Sequence, residues 1–307
     1  MDVNGTASAI QDMSIRGAGR IARAGASALS DFAENYKGSD IGQFLKDINK
    51  ASKTILDSRP TAVSLWNGVQ AALKGTETAG TVKEAVSIVK DNSERFVKNS
   101  EQAVEIIGKI GAKRIRDGDV VVTHCNSSAA LSAIKEAHRQ GKDIKVFATE
   151  SRPWRQGILT VNELAKEGID TTLMIDSAVR TVMKKADVVV VGADTITAHG
   201  ALVNKIGTSQ VALAANEARV PFIVCSETYK FSPMTLFGDM VTIEERDTLE
   251  VVRPGEIPES VRIFNPVFDS TPAKYIDAIV TELGMIHPAE VYGIMIRQFG
   301  ERIFDME

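Results

Sequence analysis

The densest group of chemistry-bearing side chains follows a β-branched run. Residues 120–123 read Val-Val-Val-Thr and lead into His124, Cys125, Asn126, Ser127 and Ser128, after which residues 129–138 have the character of a helix. A strand, a polar elbow and a helix put Cys125 at a strand's carboxyl end and near a helix's amino end, where open α/β sheets bind ligands. Unpaired N–H groups at such a helix start favour anions, so a thiol there can lose its proton at lower pH than a free one. A buried structural thiol is the ordinary alternative. The polar neighbours of Cys125 argue for the reactive one.

Further candidates lie behind other apolar runs. In Val191-Gly192-Ala193-Asp194-Thr195 the small residues leave room, and Asp194 projects from there. A carboxyl in a dry pocket has its pKa raised and can give up a proton at neutral pH, although a turn or cap aspartate has the same sequence signature. Asn204-Lys205-Ile206-Gly207-Thr208 reads as the opening of a helix, with a lysine, backbone amides and a hydroxyl suited to a phosphate or to sugar hydroxyls. Tyr229-Lys230-Phe231 lies past a further run, a place where solvated lysines are common. Glu150-Ser151-Arg152-Pro153-Trp154 crowds charge and an aromatic behind the second run. Nearer the amino terminus, Arg16-Gly17-Ala18-Gly19-Arg20 precedes a helix, and its glycines allow close backbone approach while its arginines supply charge. It is not the dinucleotide fingerprint, because the third glycine and the preceding strand are missing. Arg59-Pro60-Thr61 sets a guanidinium beside an expected helix start. Cys125, Arg152, Asp194, Lys205 and Lys230 all fall past expected strands, and in a parallel sheet those ends share one rim. A thiol, a carboxyl and several cations on one rim suit acid–base chemistry on a phosphorylated metabolite.

The elements that would position them divide into two kinds. Up to about residue 111 the apolar spacing is helical, for example Ile41, Phe44, Leu45, Ile48, Ala51 and Ile55. Helices are expected over 22–36, 41–56, 62–73 and 82–110. After Asp117-Gly118 the period changes. Short apolar runs at 120–123, 144–148, 171–175, 188–191 and 222–225 alternate with helical stretches at 127–139, 155–167, 179–185 and 208–218. Unalternating strands between helices call for a parallel sheet covered on both faces. The tail adds a strand-like piece at 263–268 and a helix near 289–298. The expected fold is α/β: a helical N-terminal domain, residues 1–112, followed by a Rossmann-like domain with a mainly parallel sheet, residues 113–307.

Composition narrows the function classes. The 307 residues are 44% hydrophobic and 25% charged, with a net charge of −4, which provides no broad basic field for nucleic acid. The two cysteines, Cys125 and Cys225, make no disulfide framework and fit a reducing cytoplasm. Cys225 ends an apolar run and reads as a core thiol. No signal peptide, membrane-length apolar run or internal repeat is visible. His124 and His199 have no ligand-spaced partner, so no zinc site is expected, and the absence of a Gly-x-x-x-x-Gly-Lys-Ser/Thr motif argues against a P-loop nucleotide site.

Thr149-Glu150-Ser151-Arg152-Pro153, Lys185-Ala186-Asp187, Val191-Gly192-Ala193-Asp194 and Asn204-Lys205-Ile206-Gly207-Thr208 also resemble, in order, one superfamily. It comprises methylthioribose-1-phosphate isomerases, archaeal ribose-1,5-bisphosphate isomerases and the alpha, beta and delta regulatory subunits of translation initiation factor 2B. The resemblance runs from Arg16 to Asn265-Pro266-Val267-Phe268-Asp269. The regulatory subunits lack the cysteine–aspartate pair that this chain has at Cys125 and Asp194. The methylthioribose enzymes typically carry Arg-Gly-Ala-Pro near the amino terminus and Cys-Asn-Thr-Gly at the cysteine. Arg16-Gly17-Ala18-Gly19 and Cys125-Asn126-Ser127-Ser128 depart from both and, with Arg59-Pro60-Thr61, resemble the bisphosphate branch.

That resemblance implies conversion of α-D-ribose 1,5-bisphosphate to D-ribulose 1,5-bisphosphate, a step linking AMP breakdown to carbon fixation. It implies Cys125 as proton acceptor and Asp194 as proton donor. Substrate contacts fall on Arg16, Gly17, Ala18, Gly19, Arg59, Ser127, Ser128, Ala129, Asn204, Lys205 and Lys230. No cofactor or metal is expected. The implied partners are the sugar bisphosphate, AMP as an activator, and further copies of the chain in a dimer or hexamer. Isomerisation of methylthioribose 1-phosphate and a non-catalytic regulatory role are the alternatives.

Overall fold

The computed structural model describes residues 1–238 and 240–303, and two compact units emerge, Met1–Ala103 and Val104–Glu307. The division falls inside a long helix, α5 (Val82–Gly111), ahead of the residue-112 boundary taken from the change of period.

The first unit is helical: α1 (Val3–Gln11), α2 (Ala18–Glu34), α3 (Ile41–Asp57), α4 (Val63–Leu73) and the start of α5. Asp2 and Asp40 cap α1 and α3 by accepting from the N–H groups of Gly5 at 2.7 Å and Gln43 at 2.6 Å. Phe44, Ile48, Ala51 and Ile55 recur at helical spacing and are buried with Ile10, Ile21, Leu29, Leu65 and Val69. Small residues bring α2 and α4 together: a Cβ on Gly25 would lie 2.7 Å from Leu65 Cδ1, and one on Gly68 3.0 Å from the Ala22 carbonyl. Pro60 does not open α4. It occupies a turn closed by the Ala62 N–H on the Arg59 carbonyl at 3.1 Å, and the helix begins at Val63.

The second unit is α/β. Strands β1 (Val120–Thr123), β2 (Lys145–Thr149), β3 (Asp170–Met174) and β4 (Val188–Gly192) alternate with helices α6 (Ser128–Arg139), α7 (Gly157–Lys166) and α8 (Val179–Met183). Two short strands, β5 (Thr195–Ile196) and β6 (Leu202–Lys205), precede α9 (Thr208–Ala218) and β7 (Phe222–Cys225). Then follow β8 (Phe268–Thr271), β9 (Ala278–Thr281), β10 (Gly284–Ile286) and α10 (Val291–Ile303). The main sheet has the order β10-β9-β7-β4-β1-β2-β3 and is parallel except for β10. Its central strands β4 and β7 are buried on both faces, whereas the edge strand β3 is largely exposed. Val188 and Val190 pack with Ala130, Ile134 and Ala137 of α6, while Val189 and Val191 pack with Val211, Ala215 and Val291 on the other face. A strand with two buried faces has no polar positions to alternate, which accounts for the continuous apolar runs.

The apolar runs correspond to β1, β2, β3, β4 and β7 with ends shifted by at most one residue. Two further expectations need correction. The stretch expected as a tail strand at 263–268 becomes regular only at Phe268, because Pro266 has no N–H to give a ladder and pairing with β6 starts at Phe268. Asn204 and Lys205 do not open a helix: they end β6, which pairs antiparallel with β5 and β8 in a separate three-stranded sheet. Among the described residues no helix is long and apolar enough to cross a membrane.

Gly192, the last residue of β4, packs directly on the start of α6. A Cβ there would fall 2.0 Å from Ser127 Oγ and 2.3 Å from Ser127 Cβ. Gly192→Ala should therefore destabilise the protein by about 1–3 kcal/mol, seen as a lower denaturant midpoint with an unchanged slope.

Candidate active site

Strand order places the site. β1 runs on to β2 and β3 on one side, while β4 and β7 lie on the other side of β1. The chain therefore reverses its direction of build-up between β1 and β4, the kind of switch point at which open α/β sheets form a ligand crevice. Cys125 lies two residues past the end of β1, and Asp194 two residues past the end of β4. The ladder pairs Val121 with Val188 and Val122 with Val189, so the two loops leave the sheet at neighbouring places.

The Cys125 loop is tightly held. Cys125 has φ of 68°, a left-handed conformation uncommon for a side-chain-bearing residue. Its N–H donates to Ser151 Oγ at 2.8 Å, and its carbonyl accepts from Thr160 Oγ1 at 2.7 Å. Thr160 in turn accepts from Asn126 Nδ2 at 3.1 Å. Ser151 is held by Asp176, whose carboxylate accepts the N–H groups of Ser151 at 2.7 Å and Arg152 at 2.8 Å. On the far side, Ser127 caps α6 by accepting from Ala130 N–H at 3.4 Å. The N–H groups of Ser128 and Ala129 belong to the first turn, where an anion is favoured.

The thiol does not titrate as its position in sequence leads one to expect. Burial pushes the Cys125 pKa up to about 11. Lys205 and the Asn126 N–H pull it down, while Asp194 and Asp176 push it further up. A helix start and a lysine are insufficient here because desolvation of a thiolate outweighs both. The same balance shows that the charges of Lys205, Asp194 and Asp176 act on the sulfur.

The three-stranded sheet positions the remaining groups. Asp194 is half-buried rather than sealed in a dry pocket, and its N–H donates to the Val203 carbonyl at 3.1 Å, tying it to β6. Lys205 ends the same strand, its Nζ lying 5.3 Å from the centroid of the Phe268 ring. Buried Asn204 donates to Thr208 Oγ1 at 3.0 Å. Gly207, with φ of 102°, turns the chain into α9. Asp269 of β8 accepts from the N–H groups of Gly207 at 2.8 Å and Ser209 at 3.1 Å, filling the helix start with a carboxylate of the chain itself. Burial raises the pKa of Asp269, and its bonds to Ser209 and Gly207 pull it back.

Lys230 is not a solvated lysine. It is buried, with Nζ 2.6 Å from Glu227 Oε2 in an ion pair that is itself buried. Glu282 accepts the Thr228 N–H at 3.1 Å and so fixes the turn that carries this lysine. Cys225 is also buried, and burial raises its thiol to about 12, in keeping with a core role.

In the helical unit, Arg16, Gly17, Ala18 and Gly19 lie at the start of α2, with Gly17 as its N-cap at φ of 91°. Ser64 Oγ ties this start to α4 through the Ala18 carbonyl at 2.9 Å. Arg59 is half-buried, and its Nη1 lies 3.7 Å from Met13 Sδ, beside the same loop. Two arginines and an uncapped helix start are thus gathered within this unit.

Reading by sequence passed over Asp176, Thr160 and Glu227, quoted Asp269 only within a family motif, and noted Ser151 only within the stretch behind the second run. Asp176 carried a usable signal, since it follows the third apolar run just as Asp194 follows the fourth. The others are recognisable only through their partners. Among the described residues no group of three or more His, Cys, Asp or Glu side chains could hold a metal ion.

Two pH dependences follow. Alkylation of Cys125 in the ligand-free protein should keep accelerating up to a midpoint near pH about 11, because burial disfavours the thiolate; peptide mass mapping against pH checks this. His124 is buried and its pKa is lowered chiefly by burial. Below the unfolded-state value of about 6.5 the unfolded chain binds a proton that the folded ring refuses, so this contribution to stability is present above that pH and is lost as pH falls. His124→Gln should lose less stability than wild type on acidification below that point, as read from denaturant midpoints.

A family model described as the Initiation factor 2 subunit family matches residues 14–288. The ribose 1,5-bisphosphate isomerase of Archaeoglobus fulgidus is 52% identical over 291 residues, covering 95% of this chain and 91% of that protein. The ribose 1,5-bisphosphate isomerase of Methanocaldococcus jannaschii is 50% identical over 291 residues, covering 95% and 93%. A crystal structure of the Pyrococcus horikoshii OT3 translation initiation factor eIF-2B aligns with a TM-score of 0.81 at 35% identity, over 93% of this chain and 97% of that one. By sequence and by fold, the chain belongs to the Initiation factor 2 subunit family.

Proposed function

We propose that this protein is an aldose–ketose isomerase that converts α-D-ribose 1,5-bisphosphate to D-ribulose 1,5-bisphosphate, with Cys125 as proton acceptor and Asp194 as proton donor. The observation that carries the reading is the switch point between β1 and β4, where Cys125 lies within the electrostatic reach of the Asp194 carboxylate and the Lys205 ammonium. Two relatives at 50% and 52% identity named for this reaction support the choice of substrate.

The C1 phosphate locks the sugar as a ring, so the reaction begins with acid at the ring oxygen. Asp194 supplies that proton as the bond from C1 to the ring oxygen breaks. Cys125 removes the proton from C2, giving an enol phosphate between C1 and C2. Return of a proton to C1, with loss of the C2 hydroxyl proton, leaves the ketone at C2 and the phosphate still on C1. Lys205 offsets negative charge on the enediol-like intermediate.

A thiol that rests near 11 is protonated at neutral pH, so in this reading Cys125 must lose its proton before it acts as base, a step that Lys205 and the Asn126 N–H favour. In this reading the substrate-contacting groups of the α/β unit are Ser127, Ser128, Ala129, Asn204, Lys205 and Lys230. In the helical unit Arg16, Gly17, Ala18, Gly19 and Arg59 bind phosphate. Activation by AMP and assembly into a homo-oligomer belong to the same reading.

The test is incubation of the purified protein, with and without AMP, with ribose 1,5-bisphosphate and separately with methylthioribose 1-phosphate, following ketose formation. Turnover of the bisphosphate alone is expected. Turnover of the methylthio sugar instead, or of neither, would overturn the assignment. Cys125→Ser and Asp194→Asn should each lower kcat by about 10²–10⁴-fold while bisphosphate binding persists; near-normal turnover in either variant removes that residue from the mechanism.

A further inference from the structure

His124 stands beside Cys125 yet has no part in the chemistry above. Its ring is 1% exposed and both nitrogens are engaged. Nε2 lies 2.9 Å from the Ile206 carbonyl, which can only accept, so Nε2 carries the proton. Nδ1 is then the acceptor for the Thr149 hydroxyl at 2.5 Å. Such a ring is not available as a base. What it does is join three segments. Its backbone precedes Cys125, its Nδ1 holds the last residue of β2, and its Nε2 holds the turn between Lys205 and α9. The turn also presses on the ring, since a Cβ on Gly207 would lie 2.9 Å from Cε1.

Lys205 immediately precedes the residue that His124 grips. Among the described residues, the charged groups that act most on Cys125 are Lys205, Asp194 and Asp176. Those facing His124 are Asp176, Asp269 and Lys205. Lys205 is therefore the one cation in this set, opposed by three carboxylates, and its effect on the thiol depends on where the turn holds it.

We propose that neutral His124, protonated on Nε2, is a positioning residue that holds Lys205 and the Ile206–Gly207 turn against the Cys125 loop. The inference rests on the reading of Cys125 as the base, but its test uses no sugar phosphate, so its failure is distinguishable from an error in the substrate.

The experiment is alkylation of Cys125 by iodoacetamide at fixed pH, below the thiol midpoint, with the site confirmed by peptide mass mapping and folding checked by circular dichroism. His124→Leu removes both ring bonds. His124→Asn is a milder variant whose short amide serves Thr149 but not Ile206. Either should slow alkylation several-fold, up to about tenfold, because a displaced Lys205 no longer favours the thiolate. Lys205→Met should slow it comparably, and adding either His124 substitution to Lys205→Met should slow it no further. His124→Gln, which retains a donor for the Ile206 carbonyl, should restore the rate to near wild type. An unchanged or faster rate in a folded His124→Leu or His124→Asn protein would overturn the proposal. So would an equal further loss in the Lys205→Met background, since His124 would then act by a route other than Lys205.

Discussion

The reversal of strand order between β1 and β4 governs the rest of the α/β unit. Successive crossovers build the sheet away from β1 through β2 and β3, and the next crossover returns to the other side of β1. That reversal is the kind of switch point at which open α/β sheets form a ligand crevice, at the carboxyl ends of the two central strands. Cys125 and Asp194 occupy the two sides of that opening. Gly192 lets the α6 start come close, because any Cβ there would collide with Ser127.

The crevice sets burial against charge. Desolvation disfavours a thiolate at Cys125 more strongly than Lys205 and one backbone N–H favour it. Asp194 and Asp176 add repulsion, so the resting thiol is protonated. A protonated resting thiol also reduces the cost of keeping a partly buried site stable before ligand arrives.

The polar groups beneath the crevice make up a connected framework. Asp176 grips the Ser151–Arg152 backbone, Ser151 accepts from Cys125, and Thr160 donates to the Cys125 carbonyl. Together these bonds hold Cys125 in its left-handed conformation. Lys230 and Glu227 form a second buried assembly, in which loss of either partner would leave an uncompensated charge costing about 3–5 kcal/mol. Sites of this kind tolerate little rearrangement, since each group satisfies a neighbour that has no water to turn to.

Local sequence determined the alternation of apolar runs and helices, the parallel sheet covered on both faces, and the helical character of the first unit. Each follows from periodicity over a window shorter than one element. It also placed Cys125 and Asp194 at strand ends, because a run of valines followed by small or polar residues has few other readings. It did not reveal β5, β6 and β8: β5 is two residues long, and these strands exist only by pairing with one another across the sequence. For the same reason Asn204 and Lys205 looked like a helix start. Lys230 looked solvated because its partner Glu227 is recognisable only once both are buried, and the thiol looked acidic because helix starts and lysines are visible in sequence while desolvation is not. Periodicity is local and survives in one dimension. Burial, pairing and the pKa values they set are properties of what surrounds a residue, and only the tertiary structure decides them.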